Sequence, residues 1–127
     1  MKKKKILIIG KTSFIGSTLF KYLKDKYIVS IKRYNNKNLK NINNYDYIIN
    51  CSTNKNYVKK KYSKKNDIDL NIVNQIKNYK SIYIFLSTRK IYKPKSNITE
   101  NSKIECDSNY AKNKLITENK ILKIRQA

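Results

Sequence analysis

A chain of 127 residues, 39% of them hydrophobic, has room for one domain with a modest core. Its formal charge of +22 points toward nucleic acid, but only Arg33, Arg89 and Arg125 of its 30 basic residues are arginine, the side chain that bidentate phosphate and base recognition favours, so no specific nucleic-acid partner is expected. The chain has no histidine, and Cys51 and Cys106 form no CxxC pair, which excludes the usual zinc sites: no metal is expected, and both thiols should stay reduced.

The surplus of Lys, Asn, Ile and Tyr matches a coding bias toward A/T-rich codons. The first apolar run, residues 6–9, is too short for a signal peptide, and no stretch is long enough to span a membrane. The expected location is cytoplasmic, with no membrane partner.

Residues 6–9 (ILII) read as a strand buried on both faces. Gly10 and Gly16, the only glycines of the chain, follow it. A buried strand that turns sharply into a helix needs glycine for the turn and for close approach, and the helix then offers free N–H groups to a phosphate. The competing reading is a tight turn that holds no ligand. Ile15, Leu19 and Leu23, flanked by Phe20, predict a helix over 14–24, capped by Thr12 or Ser13. Residues 27–31 (YIVSI) complete a β-α-β unit with a parallel pair.

Residues 34–44 read as a loop with at most one short turn, and 45–50 as the third strand. The lysine-heavy stretch 52–66 reads as a mobile surface loop, whose Tyr57 and Tyr62 would stack on bases only if it contacted nucleic acid. Ile68, Ile72 and Ile76, with Val73, predict a helix over 67–79. Residues 82–86 form the fourth strand, and 93–107 a loop holding Pro94. A last helix runs from Ser108 or Asn109 to about Ile121, with Ala111, Leu115, Glu118 and Leu122 on one face, and 121–125 begin a fifth strand. The fold class is α/β: a Rossmann-like, mostly parallel sheet with flanking helices, in one domain over 1–127.

Three constellations carry chemistry. Gly10-x-x-Ser13-x-x-Gly16 has a strand before it and a helix after. Ser87-Thr88 ends the fourth strand, on the side where parallel sheets bind ligands. Tyr110 and Lys114, at i and i+4, share a helix face, where an ammonium favours the phenolate and makes tyrosine a usable acid/base near neutral pH. Their order along the chain is more specific than any one of them.

With these residues in view, the chain resembles the extended short-chain dehydrogenase/reductase family, the NAD-dependent epimerase/dehydratases of nucleotide sugars. The matching segments are 5–16 (KILIIGKTSFIG), 46–53 (DYIINCST), 70–76 (LNIVNQI), 85–92 (FLSTRKIY) and 110–118 (YAKNKLITE). The short link between the second and third strands also resembles the branch of sugar-nucleotide reductases that makes deoxysugars.

The resemblance implies a pyrophosphate turn on Gly10, Ser13 and Gly16, with Phe14 and Ile15 between them. It implies that Asn50, Cys51 and Ser52 border the cofactor, and that Asn71 matches the Asn of the helix that follows. Thr88, four residues before Tyr92 of the Ile91-Tyr92 pair, would orient substrate. Tyr110 would be the acid/base, and Lys114 would hold the nicotinamide ribose. The implied reaction is hydride transfer between a sugar carbon and NAD(P). The implied partner is a nucleotide sugar, and a homodimer is an open assembly.

Where an NAD site carries an acidic residue for the ribose, this chain has Lys32 and Arg33, so the expected cofactor leans to NADP(H). Ser13 stands where the family has its middle glycine. Family members continue past the segment matching 121–125 into a substrate-binding domain, so the chain is expected to be the cofactor half, truncated before that domain. Two readings stay open beside the enzyme part: a catalytically inactive dinucleotide-binding fragment and a basic nucleic-acid-binding protein.

Overall fold

Short β-branched runs, separated by segments of helical periodicity, set the order of elements. The computed structural model describes residues 3–88, 92–93 and 97–125. Its elements are β1 (Lys5–Ile9), α1 (Phe14–Leu23), β2 (Ile28–Lys32), β3 (Tyr47–Asn50), α2 (Lys55–Lys59), α3 (Ile68–Gln75), β4 (Ile82–Ile84) and α4 (Asn109–Ile124). Single 3-10 turns lie at Ile42–Asn44 and Lys64–Asn66. The described residues form two compact units. The first takes the chain up to Ser52 together with Ile68–Leu86; the second takes Thr53–Asp67 and the residues from Ser87 onward.

The first unit is built on a sheet in the order β2-β1-β3-β4, every neighbouring pair parallel. Alternation along the strands divides their side chains between two faces. Leu7, Ile9 and Ile48 pack with Leu39, Ile42, Ile72 and Ile76. Ile6, Ile8 and Ile49 pack on the other side with Leu19, Phe20 and Leu23 of α1. Each fully buried Leu or Ile contributes about 1.5–3 kcal/mol, so β1, apolar on both faces, is the centre of this core.

The second unit is held by polar contacts. Ser108 caps α4 by accepting from the Ala111 amide (3.1 Å). Asn109 and Asn113, one turn apart on α4, donate to the last carbonyls of α2: Asn109 to Lys59 (3.0 Å), and Asn113 to Tyr57 and Lys60 (both 2.8 Å). Carbonyls that a helix C-terminus leaves open are thereby satisfied. Beyond them, Tyr92 and Ile104 form an isolated antiparallel bridge.

Several expectations change. The stretch 52–66 is not a plain loop: it holds α2, capped by Asn54, and a 3-10 turn, because Tyr57 and Asn66 are buried and α4 supplies acceptor-matched donors. Residues 121–125 do not begin a strand. α4 continues to Ile124 with Ile121 on its buried line, and the Arg125 amide closes the last turn on Ile121 (2.8 Å). That buried line is Ala111, Lys114, Thr117 and Ile121, while Leu122 is exposed.

On α1, Ile15 is exposed, and the core face is Leu19, Phe20 and Leu23. The helix expected over 67–79 ends at Gln75, because the Asn43 side chain captures the Lys77 and Asn78 amides (2.6 and 3.0 Å). β3 begins at Tyr47 and β4 ends at Ile84, so Ser87-Thr88 lies beyond the strand and not at its last residue. Ile91 and Pro94 lie outside the described residues. Among the described residues no helix is long and apolar enough to cross a membrane.

Candidate functional site

β1 stops at Gly10, whose φ of +119° strains any residue with a Cβ. A Cβ there would also stand 3.1 Å from both the Cys51 carbonyl carbon and the Ser52 nitrogen. The Gly10 amide donates to Lys32 of β2 (2.8 Å). Gly16 is buried in the first turn of α1, where a Cβ would meet the Gly10 carbonyl oxygen at 2.6 Å. The two glycines therefore need each other, and both let the turn close on the end of β3.

Ser13 is the N-cap of α1. Its amide donates to the Gly10 carbonyl (3.0 Å), and its hydroxyl accepts from the Gly16 amide (3.3 Å). The Phe14 and Ile15 amides have no protein acceptor among the described residues, and no acidic side chain occupies the first turn. Two N–H groups and the positive end of the α1 dipole are thus open to an anion. Ser13 takes up the third N–H itself.

The chain leaves β1 toward β2 on one side and β3 lies on the other, so the ends of β1 and β3 form the topological switch point of the sheet, where open α/β sheets bind ligands. Asn50 is buried there and folds back on its own strand end, accepting from the Ser52 amide (2.8 Å) and donating to the Ser52 carbonyl (3.3 Å). Cys51 is buried; its burial, and then the charge of Asp69, push its thiol above the usual range. It behaves as a small apolar residue and not as a nucleophile. Asp69 accepts from the Tyr83 hydroxyl.

The remaining expected residues of this unit divide. Lys32 is engaged within the fold: its ammonium donates to the Lys40 carbonyl (3.0 Å) and lies 5.7 Å from the Tyr45 ring centroid. Arg33, the next residue, is exposed. Asn71 works inside the first unit, donating to Asn36 (3.3 Å) and accepting from Gln75 (2.9 Å), which in turn accepts from the Leu39 amide (2.8 Å). That network fastens the 35–39 loop to α3.

In the second unit, α4 brings Tyr110 and Lys114 together as their spacing predicts. Lys114 is buried, with its ammonium 5.8 Å from the Tyr110 ring centroid. Tyr57, which the sequence reading left in a loop, is buried against the same pair: its ring meets Tyr110 edge-on at 6.4 Å and 82°, and the Lys114 ammonium lies 6.0 Å from its centroid. The Tyr57 hydroxyl bonds Thr117 (2.7 Å), Thr117 donates to Asp67 (2.8 Å), and Tyr62 donates to the same Asp67 oxygen (2.7 Å). Burial first, then the Asp67 hydrogen bond and charge, push the Tyr62 phenol well above its ordinary value. Thr88 is half-buried in this unit.

Tyr57, Asp67, Asn113 and Thr117 were missed from sequence. One signal was present: Asn109, Asn113 and Thr117 recur at i, i+4 and i+8, a stripe of short hydrogen-bonding side chains on a helix otherwise rich in lysine.

A sequence model described as the NAD dependent epimerase/dehydratase family matches residues 6–127. No curated protein matches the chain. Solved structures share its fold. A dTDP-4-dehydrorhamnose reductase from Clostridium acetobutylicum superposes with a TM-score of 0.74 and 23% identity, over 96% of this chain and 50% of that one. A dTDP-glucose 4,6-dehydratase from Bacillus anthracis in complex with NAD gives 0.68 and 17%, over 97% and 52%. The protein RMD from Pseudomonas aeruginosa complexed with NADPH gives 0.67 and 17%, over 94% and 48%. The chain spans about half the length of these structures.

Proposed function

Since this chain belongs to the NAD dependent epimerase/dehydratase family, we propose that it is the dinucleotide-binding part of a nucleotide-sugar epimerase, dehydratase or reductase. The observation that carries the reading is the Gly10–Gly16 turn at the switch point of the sheet, with the Phe14 and Ile15 amides open to an anion. Those amides and the α1 dipole hold the pyrophosphate. Asn50, Cys51 and Ser52 border the cofactor as a wall of backbone and small side chains, and Asn71 keeps the neighbouring loop in place. Structures of the same fold hold NAD in one case and NADPH in another.

Arg33 is the cation that favours a 2′-phosphate, since Lys32 is committed to the Lys40 carbonyl. The cofactor is therefore NAD(P), with NADP(H) preferred.

When bound, the nicotinamide supplies the hydride chemistry at a sugar carbon. Thr88 hydrogen-bonds a substrate oxygen. Tyr110 gives or takes the proton at that oxygen through its hydroxyl. Lys114 holds a ribose hydroxyl and, by its charge, favours the tyrosinate. A second reading, a dinucleotide-binding module without turnover, rests on the same Gly10–Gly16 turn.

Titration of the chain with NADPH and NADH, followed by nicotinamide fluorescence at physiological salt, tests the reading. Saturable binding is expected, tighter for NADPH, with the preference lost in Arg33→Ala. Absence of saturable binding by either nucleotide sinks both readings, and equal affinities unchanged in Arg33→Ala sink the NADP(H) preference. DNA binding that selects a sequence or structure would favour a nucleic-acid role instead; non-specific binding follows from the +22 charge alone.

A further inference from the structure

We infer that Tyr57 is a positioning residue for the Tyr110–Lys114 pair, set in place by the buried chain of hydroxyls that runs through Thr117 to Asp67. The inference rests on the reading of Tyr110 and Lys114 as the acid/base pair and names a residue which that reading does not include.

Lys114 has a flexible four-carbon stem, and nothing in the i, i+4 spacing fixes its ammonium near the phenol. The Tyr57 ring supplies a wall. It packs edge-on to Tyr110 and lies within about the reach over which an aromatic ring attracts a cation, so Lys114 is flanked by two rings at 5.8 and 6.0 Å.

The wall itself is fixed at both ends. Asn113 donates to the Tyr57 carbonyl (2.8 Å). At the far end the hydrogen-bond direction follows from counting protons. Thr117 has one hydroxyl proton and gives it to Asp67, so the Tyr57 hydroxyl must be the donor to Thr117. Tyr57, Thr117 and Asp67 are 6%, 0% and 1% exposed, so none of these bonds is exchanged with water at little cost. A tyrosine buried only to fill space would not need a carboxylate-terminated chain to orient its hydroxyl.

The test is a double-mutant cycle on NADPH affinity, with circular dichroism and melting temperature recorded for each variant. Lys114→Met is expected to weaken binding about tenfold, the scale of one hydrogen bond to a charged group. Tyr57→Leu should weaken it by a similar factor, and the double variant should bind no more weakly than Lys114→Met alone, because Tyr57 acts through Lys114. Tyr57→Phe, which keeps the ring but cuts it from Thr117, should weaken binding less than Tyr57→Leu does, and that smaller loss should likewise vanish beside Lys114→Met.

If the two factors multiply in the double variant, or Tyr57→Leu binds normally, Tyr57 is ordinary packing and the inference fails while the reading of the site stands. If the unaltered chain binds neither NADPH nor NADH, the reading fails and takes this inference with it. Should Tyr57→Leu not fold, Thr117→Val takes its place in the cycle: it keeps the volume and releases the Tyr57 hydroxyl, and the same non-additivity with Lys114→Met is expected.

Discussion

The turn after β1 and the first turns of α4 solve the same problem, holding a few groups in fixed positions, by opposite means. At the turn, the geometry depends on atoms that are missing. Gly10 sits at φ +119°, and Gly16 leaves room for a carbonyl oxygen at 2.6 Å from where its Cβ would be. On α4, the geometry depends on atoms that are added: Tyr57 and Asp67, from elsewhere in the chain, join Asn113 and Thr117 of the helix in a buried polar lattice around Tyr110 and Lys114. A site made by omission is intolerant of any added atom and should break all at once. A site made by addition should lose function in steps, as partners are removed one by one.

The largest effect tests the first half of that contrast. Gly16→Ala puts a methyl group against the Gly10 backbone, which cannot rotate away, and should destabilise the chain by about 3 kcal/mol, read as a shift in the urea midpoint. A near-neutral result would mean that the turn is softer than its contacts imply. Next comes Thr117→Val, which removes the buried hydroxyl that bonds both Tyr57 and Asp67. It should cost about 2 kcal/mol while the unit keeps its helical circular dichroism. A complete loss of structure would erase the distinction drawn here.

Ser13 joins the two strategies, since it is a side chain that caps the helix inside the glycine turn. Ser13→Ala removes the α1 cap and should cost about 1 kcal/mol, whereas Ser13→Gly should cost only a few tenths. By freeing the Gly16 amide, Ser13→Gly should also tighten NADPH binding relative to the unaltered chain, measured by the same fluorescence titration. Unchanged affinity would show that the Gly16 amide plays no part in holding the cofactor.

The smallest effect concerns pH. The Tyr62 phenol is raised in the folded chain, so its neutral form is the one the fold favours. Its contribution is fully present below the unfolded value of about 10 and fades as the pH rises toward the higher folded value. Urea midpoints measured between about pH 9 and 11 should therefore fall less steeply for Tyr62→Phe than for the unaltered chain.

The same contrast explains what was legible in the sequence. Glycine is read easily where it is rare, and β1, α1 and the parallel order of the sheet followed from residues 6–31 because buried strands and amphipathic helices write their periods locally. The Tyr110–Lys114 pair was legible for the same reason. The lattice around it was not. Tyr57 looked like one tyrosine among lysines, and its burial depends on Asn113 and Thr117, more than fifty residues away in the chain. The continuation of α4 past Ile121 was misread because Ile121, Leu122 and Ile124 fit a strand as well as a helix over so short a stretch; the buried line through Ala111, Lys114 and Thr117 decides it. The commitment of Lys32 to the Lys40 carbonyl was likewise invisible, since sequence shows a charge but not what already holds it.

The central claim is that a dinucleotide sits on the Gly10–Gly16 turn and is not merely drawn to a chain of net charge +22. The most direct test is an amide-resolved NMR titration with NADPH at physiological salt. The account predicts saturable shifts at the Phe14 and Ile15 amides, at concentrations where the exposed Lys21 and Lys24 at the other end of α1 stay unmoved. Shifts spread over those lysines, with Phe14 and Ile15 unchanged, would contradict it.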